Sequence, residues 1–222
     1  MTKSRDGSVT GGQGFSVCPK LVDKPEKCNE IARAALGLFA DKGYAATSVG
    51  QIAESAGIGK GTIYDYFPSK EEIFVHAINH WIMRLLDRMV ENTRDIQDPV
   101  ARLKAFIGMV KDVLNAGDPD PKKLFADIDQ QTFMPGGAFY KRRHIIKDMR
   151  AAFCSLVTDI LLDGVSKKVF KPEIARDVSK IAVNLLAYLD GICMHYLIME
   201  EYRIFEEQVD FYIKEFVNSI LI

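Results

Sequence analysis

The chain has 222 residues, of which 48% are hydrophobic and 27% charged, and its formal net charge is −1. This length and composition allow a full buried core and exclude a chain that is disordered as a whole. The near-zero charge excludes a strongly basic chain, so any binding of nucleic acid has to come from a local surface. The four cysteines form no Cys-x-x-Cys pair, which indicates reduced thiols in a cytoplasm rather than a zinc site.

Two segments bear on targeting and membrane insertion. Residues 1–22 are rich in glycine and small polar residues, so they are predicted to be a flexible tail without the apolar core of a signal peptide. The segment from 181 to 199 is long and apolar, but Asn184, Asp190 and His195 interrupt it. A buried helix is therefore predicted there rather than a membrane span.

The first two predicted helices have clear start and stop signals. The first begins near Pro25, whose fixed φ suits a first helical turn, and ends at Gly43. The second opens at Ser48, where Gln51 three residues later completes a capping box, and it ends at Gly57. The spacing of apolar residues on both fits one buried face.

Seven further helices complete an all-α prediction of about nine helices. The third covers residues 59–67, because Pro68 cannot continue it, and Ser69 with Glu72 forms a second capping box that opens the fourth. No useful strand-like alternation is present. The fifth and sixth helices are predicted to begin at Asp98-Pro99 and Asp120-Pro121. The seventh is predicted over 139–162, before Gly164, the eighth from Pro172, and the ninth over 206–221.

Residues 48–67 form two short helices around a glycine-containing turn, which is a helix-turn-helix. The second helix of such a motif lies in the major groove of DNA. Glycines allow close approach to the duplex, and lysine, threonine and tyrosine supply contacts to phosphates and base edges. The residues concerned are Gly59, Lys60, Gly61, Thr62, Tyr64 and Tyr66. Short capped helix pairs with half-buried tyrosines also occur in other proteins, so the pattern alone is only moderately specific.

The run GYAATSVGQIAESAGIGKGTIYDYFPSKEEIF closely resembles the DNA-binding domain of the TetR family of bacterial transcriptional regulators, over about residues 25–80. The resemblance implies a helix-turn-helix domain over 23–69 and a ligand-binding and dimerisation domain over 70–222. It implies contacts to the DNA backbone from Thr47, Ser48, Tyr64, Tyr66 and Lys70, and base or near-base roles for Lys60, Gly61 and Thr62. Asp65 stands at a variable position, where it either accepts from a cytosine amino group or repels phosphate.

The resemblance also implies that the last two helices form a homodimer and that a pocket lies among helices four to eight. The predicted dimer residues are Leu189, Tyr196, Tyr212 and Phe216. The predicted ligand-pocket residues are Trp81, Phe106, Met109, Phe125, Phe133, Tyr140, Phe153, Tyr188 and His195. The alternative for each pocket residue is that it belongs to the ordinary core and contacts no ligand. The alternative for the eighth helix is that it is the central core helix of a monomer.

Metal and catalytic chemistry find little support in the sequence. His76 and His80 have the i, i+4 spacing of metal ligands, but no third ligand can be placed, so they are predicted to be a solvent-exposed pair without metal. No nucleophile elbow, phosphate loop or pair of catalytic carboxylates is recognisable, so neither an enzyme nor a cofactor is predicted.

The sequence therefore predicts a cytoplasmic, homodimeric transcriptional regulator that binds double-stranded DNA. By the resemblance it is a repressor, released from a palindromic operator by a small apolar or amphipathic effector. A ligand-independent regulator or an architectural DNA-binding dimer is the alternative, and no membrane partner is expected.

Overall fold

The structure is a computed structural model that describes residues 24–115, 121–199 and 202–222. Within these ranges the chain forms nine helices and a single isolated β-bridge, so the all-α prediction is confirmed. The predicted tail and Asp120, at the predicted start of the sixth helix, lie outside the described residues. The helices are α1 (Lys24–Ala46), α2 (Val49–Ser55), α3 (Lys60–Tyr64), α4 (Lys70–Arg94), α5 (Pro99–Asn115), α6 (Pro121–Phe133), α7 (Arg143–Ser166), α8 (Ile174–Met199) and α9 (Tyr202–Ile220).

The amino-terminal core forms where α1, α2 and α3 pack against the first half of α4. Its centre is aromatic, with the ring of Phe74 meeting that of Phe39 edge-on at 5.0 Å. The fully buried members from these four helices include Ile31, Phe39, Ile52, Ile63, Phe74 and Ile78. Four residues of α6 and the following turn join the same cluster, namely Leu124, Ile128, Ala138 and Phe139. The core of the helix-turn-helix is therefore continuous with part of the body.

Predicted caps are largely present. Ser48 accepts from the amide of Gln51, and the Gln51 side chain accepts from the amide of Ser48, which closes the capping box. Ser69 accepts from the amide of Glu72. The second predicted capping box is wrong in its other half, because the Glu72 carboxylate instead forms an ion pair with Arg142.

Three helix boundaries differ from the prediction. α3 is shorter, because the amide of Tyr66 donates to the carbonyl of Ile63 only three residues earlier and tightens the last turn. α7 begins at Arg143, because residues 138–142 turn back against α6 and bury Phe139 completely. It continues through Gly164, which packs closely against the ring of Phe170. α9 begins four residues earlier than predicted.

The body consists of the second half of α4 together with α5 to α9. Its core joins Leu86, Phe106, Val157 and Leu185 in one large cluster. The end of the chain is fixed by backbone hydrogen bonds, in which the amide of Ile222 donates to the carbonyl of Val169 at 3.2 Å. None of the helices in the described ranges combines the length and hydropathy needed to cross a bilayer.

Candidate DNA-binding surface and ligand cavity

The recognition helix presents a polar face to solvent. Ile63 is fully buried on one side of α3 and, with Phe67, attaches the helix to the amino-terminal core. Tyr64 is 50% exposed and Tyr66 is half-buried. The remaining residues of this face are all exposed, namely Gly59, Lys60, Gly61, Thr62 and Asp65. The structure thus brings the predicted base-contacting residues together on one accessible surface.

Thr47 and Ser48 differ in what their side chains can reach. Thr47 is only 1% exposed, and its hydroxyl donates to the carbonyl of Gly43 at 2.8 Å. Its side chain therefore holds the end of α1 to the start of α2 and is not part of the candidate DNA-binding surface. Ser48 is exposed, and because its oxygen accepts from Gln51, its hydroxyl hydrogen stays available to donate.

Lys70 points back into the domain. Its Nζ donates to the carbonyl oxygens of Tyr44 at 2.8 Å and Thr47 at 3.0 Å, and it lies 4.3 Å from the centre of the Tyr44 ring. Burial lowers the pKa of Lys70, and nearby Asp127 partly opposes this shift. Among the residues predicted for the DNA backbone, Lys70 thus has a structural role that the sequence did not indicate.

A cavity of about 220 Å³ lies inside the body, between α4, α5, α6, α7 and α8. Four of the nine predicted pocket residues line it: Trp81, Phe106, Phe125 and Phe153. Most of the remaining wall is aliphatic, with Leu85, Met89, Val110 and Leu186 among its members. The cavity is therefore a largely apolar space among helices four to eight, where the sequence predicted a pocket.

The other five predicted pocket residues do not line the cavity. Phe133 is 67% exposed, and His195 is also exposed. Tyr188 stacks on Tyr212 with ring centres 3.6 Å apart, and its hydroxyl donates to the carbonyl of Gln208. The others lie against neighbouring side chains, Tyr140 under the guanidinium of Arg143 and Met109 beside the amide of Asn92. None of the five belongs to the candidate ligand site.

The cavity wall also carries three charged residues, Asp129, Arg150 and Asp190. Arg150 and Asp190 form an ion pair across α7 and α8. Burial raises the pKa of Asp129, while Arg150 lowers it and Asp190 raises it further. Burial also raises the pKa of the Cys193 thiol to about 12, so this cysteine is not a reactive thiolate at neutral pH.

The predicted dimer residues fall into two groups. Leu189 and Tyr196 are 3% and 7% exposed and pack in the body core. Their side chains therefore do not lie on an outer face, contrary to the prediction. Tyr212 and Phe216 are half-buried, with their rings stacked 6.1 Å apart. Large apolar side chains do lie exposed on α8 and α9, but they are different ones: Val183, Met194, Ile198 and Phe211.

His76 and His80 are half-buried, so the prediction of a solvent-exposed pair is wrong. Their rings stack in parallel with centres 6.5 Å apart, and Nε2 of His76 is 3.1 Å from the side-chain oxygen of Asn29. Burial lowers the pKa of both rings. No group of three or more potential metal ligands occurs within the described ranges.

A short exposed recognition helix on a three-helix core, joined by one long helix to an all-α body, defines a helix-turn-helix DNA-binding protein. Residues 31–77 match the family model described as bacterial regulatory proteins, tetR family. Together with the relatives below, this match identifies the amino-terminal part of the chain as a DNA-binding domain of the type found in the TetR family of bacterial transcriptional regulators.

Three relatives illustrate how far the sequence similarity extends. The regulator YerO of Bacillus subtilis is 36% identical over 85 residues, which cover 37% of this chain and only 29% of YerO. The regulator YfiR of Bacillus subtilis is 25% identical, over 80% of this chain and 83% of YfiR. The transcriptional repressor KstR2 of Mycobacterium tuberculosis is 27% identical, over 67% of this chain and 72% of KstR2.

Solved structures share the fold at low identity. A TetR transcription regulator from Haloarcula marismortui has a TM-score of 0.74 at 18% identity, covering 89% of this chain and all of that one. A Saccharomonospora viridis regulator in complex with choline has a TM-score of 0.70 at 22% identity, covering 86% and 96%. FadR from Bacillus subtilis in complex with stearoyl-CoA has a TM-score of 0.66 at 20% identity, covering 82% and 95%.

Proposed function

We propose that this protein is a dimeric transcriptional repressor that binds a specific DNA operator and is released when a small ligand occupies the cavity of the body. The observation that carries the proposal is the course of α4. Phe74 and Ile78 lie in the core that supports the recognition helix, and Leu86 and Met89 lie in the body core. Between them, Trp81 lines the cavity. A ligand in the cavity that moves α4 would therefore also move the core that supports the recognition helix.

The proposed DNA contacts come from the exposed face of the helix-turn-helix. Lys60 and Thr62 are exposed at the start of α3, where they suit a phosphate and a base edge respectively. Gly61 is exposed and has no side chain, so it would let the backbone at the start of α3 come close to the duplex. The remaining contacts, to the phosphate backbone, are assigned to Ser48, Tyr64 and Tyr66.

The proposed dimer interface is the exposed apolar face of α8 and α9. Val183, Met194 and Ile198 follow a helical stripe on α8, and Phe211 is 64% exposed on α9. Large apolar side chains exposed on two neighbouring helices are typical of an association site. A two-fold dimer would also present two recognition helices to successive major grooves, which predicts a palindromic operator.

Repression is proposed because KstR2, a transcriptional repressor, is similar over 67% of this chain. Ligand and DNA would oppose each other if they favour different spacings of the two recognition helices. The coupling expected between two such sites is about 1–3 kcal/mol, or roughly 5–150-fold in affinity.

The test is selection of duplexes from a random DNA library, followed by titration of the enriched duplex and a scrambled one. We expect a palindromic sequence that binds at least about 1,000-fold tighter than the scrambled duplex. Lys60→Ala should weaken this binding without changing the melting temperature, whereas Lys104→Ala, exposed on α5, should leave it unchanged. Steep salt dependence with no preference among sequences would instead support the architectural alternative.

A further inference from the structure

The cavity wall carries an unequal set of charges. Among its lining residues, Asp129 of α6 and Asp190 of α8 are acidic, and Arg150 of α7 is the single permanently charged base. The rest of the wall is made of aliphatic and aromatic side chains, apart from Cys193. With both carboxylates ionised, the formal charge of the wall is negative.

Arg150 neutralises one of the two carboxylates. It forms an ion pair with Asp190, and the side chains of both are more than half exposed, so the pair lies at the solvent end of the cavity. Asp129 has no hydrogen bond or ion pair within the described part of the chain, although it is half-buried. Burial is also the main cause that raises its pKa. Asp129 is thus a half-buried carboxylate in a largely apolar wall: Arg150 offsets part of its burial cost from a distance, and no described residue donates to it directly.

We infer that the cavity takes a small apolar molecule with one positively charged nitrogen that carries N–H donors, such as a primary alkylammonium, and that Asp129 is the residue that selects it. This inference rests on the proposed function of the cavity as an effector site. The ammonium group of such a ligand would give the Asp129 carboxylate a charged donor, and the apolar part of the ligand would cover Trp81, Phe106 and Phe153. Charge-assisted hydrogen bonds of this kind are the stronger ones in proteins.

A ligand with a negative charge meets the opposite situation. Its carboxylate would enter a wall that already holds two acidic groups, and it would have to share Arg150 with Asp190. Three carboxylates around one guanidinium would leave two excess negative charges in a partly desolvated site, which costs free energy. The wall therefore disfavours free fatty acids relative to amines of the same length.

The volume sets the size of the ligand. About 220 Å³ lies below the roughly 300–1,000 Å³ of typical ligand pockets. A chain as long as the acyl group of stearoyl-CoA, which FadR of Bacillus subtilis holds, does not fit this space as it stands. A molecule of about ten non-hydrogen atoms is the appropriate scale, and octylammonium, octanol and octanoate make a series that differs only in the head group.

The single tryptophan makes occupancy of the cavity directly measurable. The chain contains one Trp, which is Trp81 in the cavity wall. Its fluorescence is titrated with octylammonium, octanol and octanoate, and the midpoints are compared for three proteins. These are wild type, Asp129→Asn, which keeps the shape but removes the charge, and Asp159→Asn, which makes the same change at an exposed position of α7.

We expect octylammonium to bind wild type about tenfold or more tightly than octanoate, with octanol between them. Asp129→Asn should weaken octylammonium about tenfold and leave octanol unchanged, whereas Asp159→Asn should change neither. Equal midpoints for all three compounds, tighter binding of octanoate, or no response of Trp81 to octylammonium would overturn the inference. Release of the operator by octanol or octanoate but not by octylammonium would uphold the proposed repressor and reject cation selectivity alone.

Discussion

Asp127 of α6 accepts a hydrogen bond from the backbone amide of Tyr44, at 2.6 Å between Oδ2 and N. Tyr44 follows Gly43, whose φ of 82° ends the regular part of α1 just before the helix-turn-helix begins. Two residues on, Asp129 lines the cavity. One turn of α6 thus contacts both the effector cavity and the segment that leads into α2, which gives ligand binding a second connection to the DNA-binding domain beside α4.

Asp127→Ala should destabilise the protein by about 1 kcal/mol, because it leaves the amide of Tyr44 without its acceptor. Asp127→Asn should cost less, since an amide oxygen can accept the same hydrogen bond. Urea denaturation of both variants measures the difference. Equal losses would show that the charge of Asp127, near Lys70, matters more than its role as an acceptor.

Lys60 and Lys70 should respond differently to removal of their charge. Lys60→Ala should weaken operator binding and reduce the slope of log affinity against log salt by about 1, with unfolding unchanged. Lys70→Ala should weaken operator binding and also lower the free energy of unfolding, because the amino group holds the carbonyls of Tyr44 and Thr47. Anisotropy titrations and thermal melts test the pair. A Lys70→Ala protein as stable as wild type would contradict the structural role.

Ile198→Asp should convert the proposed dimer to a monomer without unfolding it, because Ile198 is 71% exposed on α8. Sedimentation analysis gives the mass, and circular dichroism the fold. Phe133→Asp is the matched control, since Phe133 is similarly exposed on α6 but lies away from this face. A dimer that survives Ile198→Asp and Phe211→Asp together would exclude the face we assign.

Gly164→Ala should destabilise the protein by about 1–3 kcal/mol, although alanine normally favours a helix. A Cβ at Gly164 would overlap the ring of Phe170, which is completely buried. Gly37→Ala is the control: Gly37 is exposed within α1, where an added Cβ would meet open space, so this change should stabilise by about 0.5–1 kcal/mol. Thermal melts that rank the two variants in the reverse order would contradict the packing of α7 on Phe170.

Asp129→Asn should raise the free energy of unfolding at neutral pH, and the gain should disappear as the pH falls. A raised pKa means that the folded state holds the proton more tightly than the unfolded chain. The stabilising effect of protonation is therefore complete at acidic pH and is lost as the pH rises through the folded pKa. Asparagine removes the burial cost of the ionised carboxylate above that range. Urea denaturation over a pH series measures this difference. The control Asp159→Asn should show no such dependence on pH.

The elements that were predicted most accurately are those that depend on residues close together in the sequence. Ser48 and Gln51 cap α2 by contacts that need only three residues of separation, and the glycines around Lys60 shape the recognition helix. The roles of Thr47 and Lys70 depend on the way α1, α2 and α4 pack, so no local pattern indicates them. The outward face of α8 depends on how the helix is rotated, which its nearly continuous apolar sequence leaves open, and Leu189 was therefore placed on the wrong side.

The charged cavity residues were missed for a related reason. Asp129 and Arg150 occur on helices with many other charges, where a charged side chain most often faces solvent. Only the packing of α6, α7 and α8 brings them to one wall beside Trp81. The aromatic residues of the same wall were easier to predict, because large apolar side chains at helical spacing are expected to turn inward.

The most direct test of ligand-controlled repression is the affinity for the selected operator with the cavity empty and with it filled by a compound that saturates the Trp81 response. We predict that filling the cavity weakens operator binding by roughly 5–150-fold, and that operator-bound protein binds the compound more weakly by the same factor. An operator Kd that stays unchanged while Trp81 reports full occupancy would contradict this mechanism.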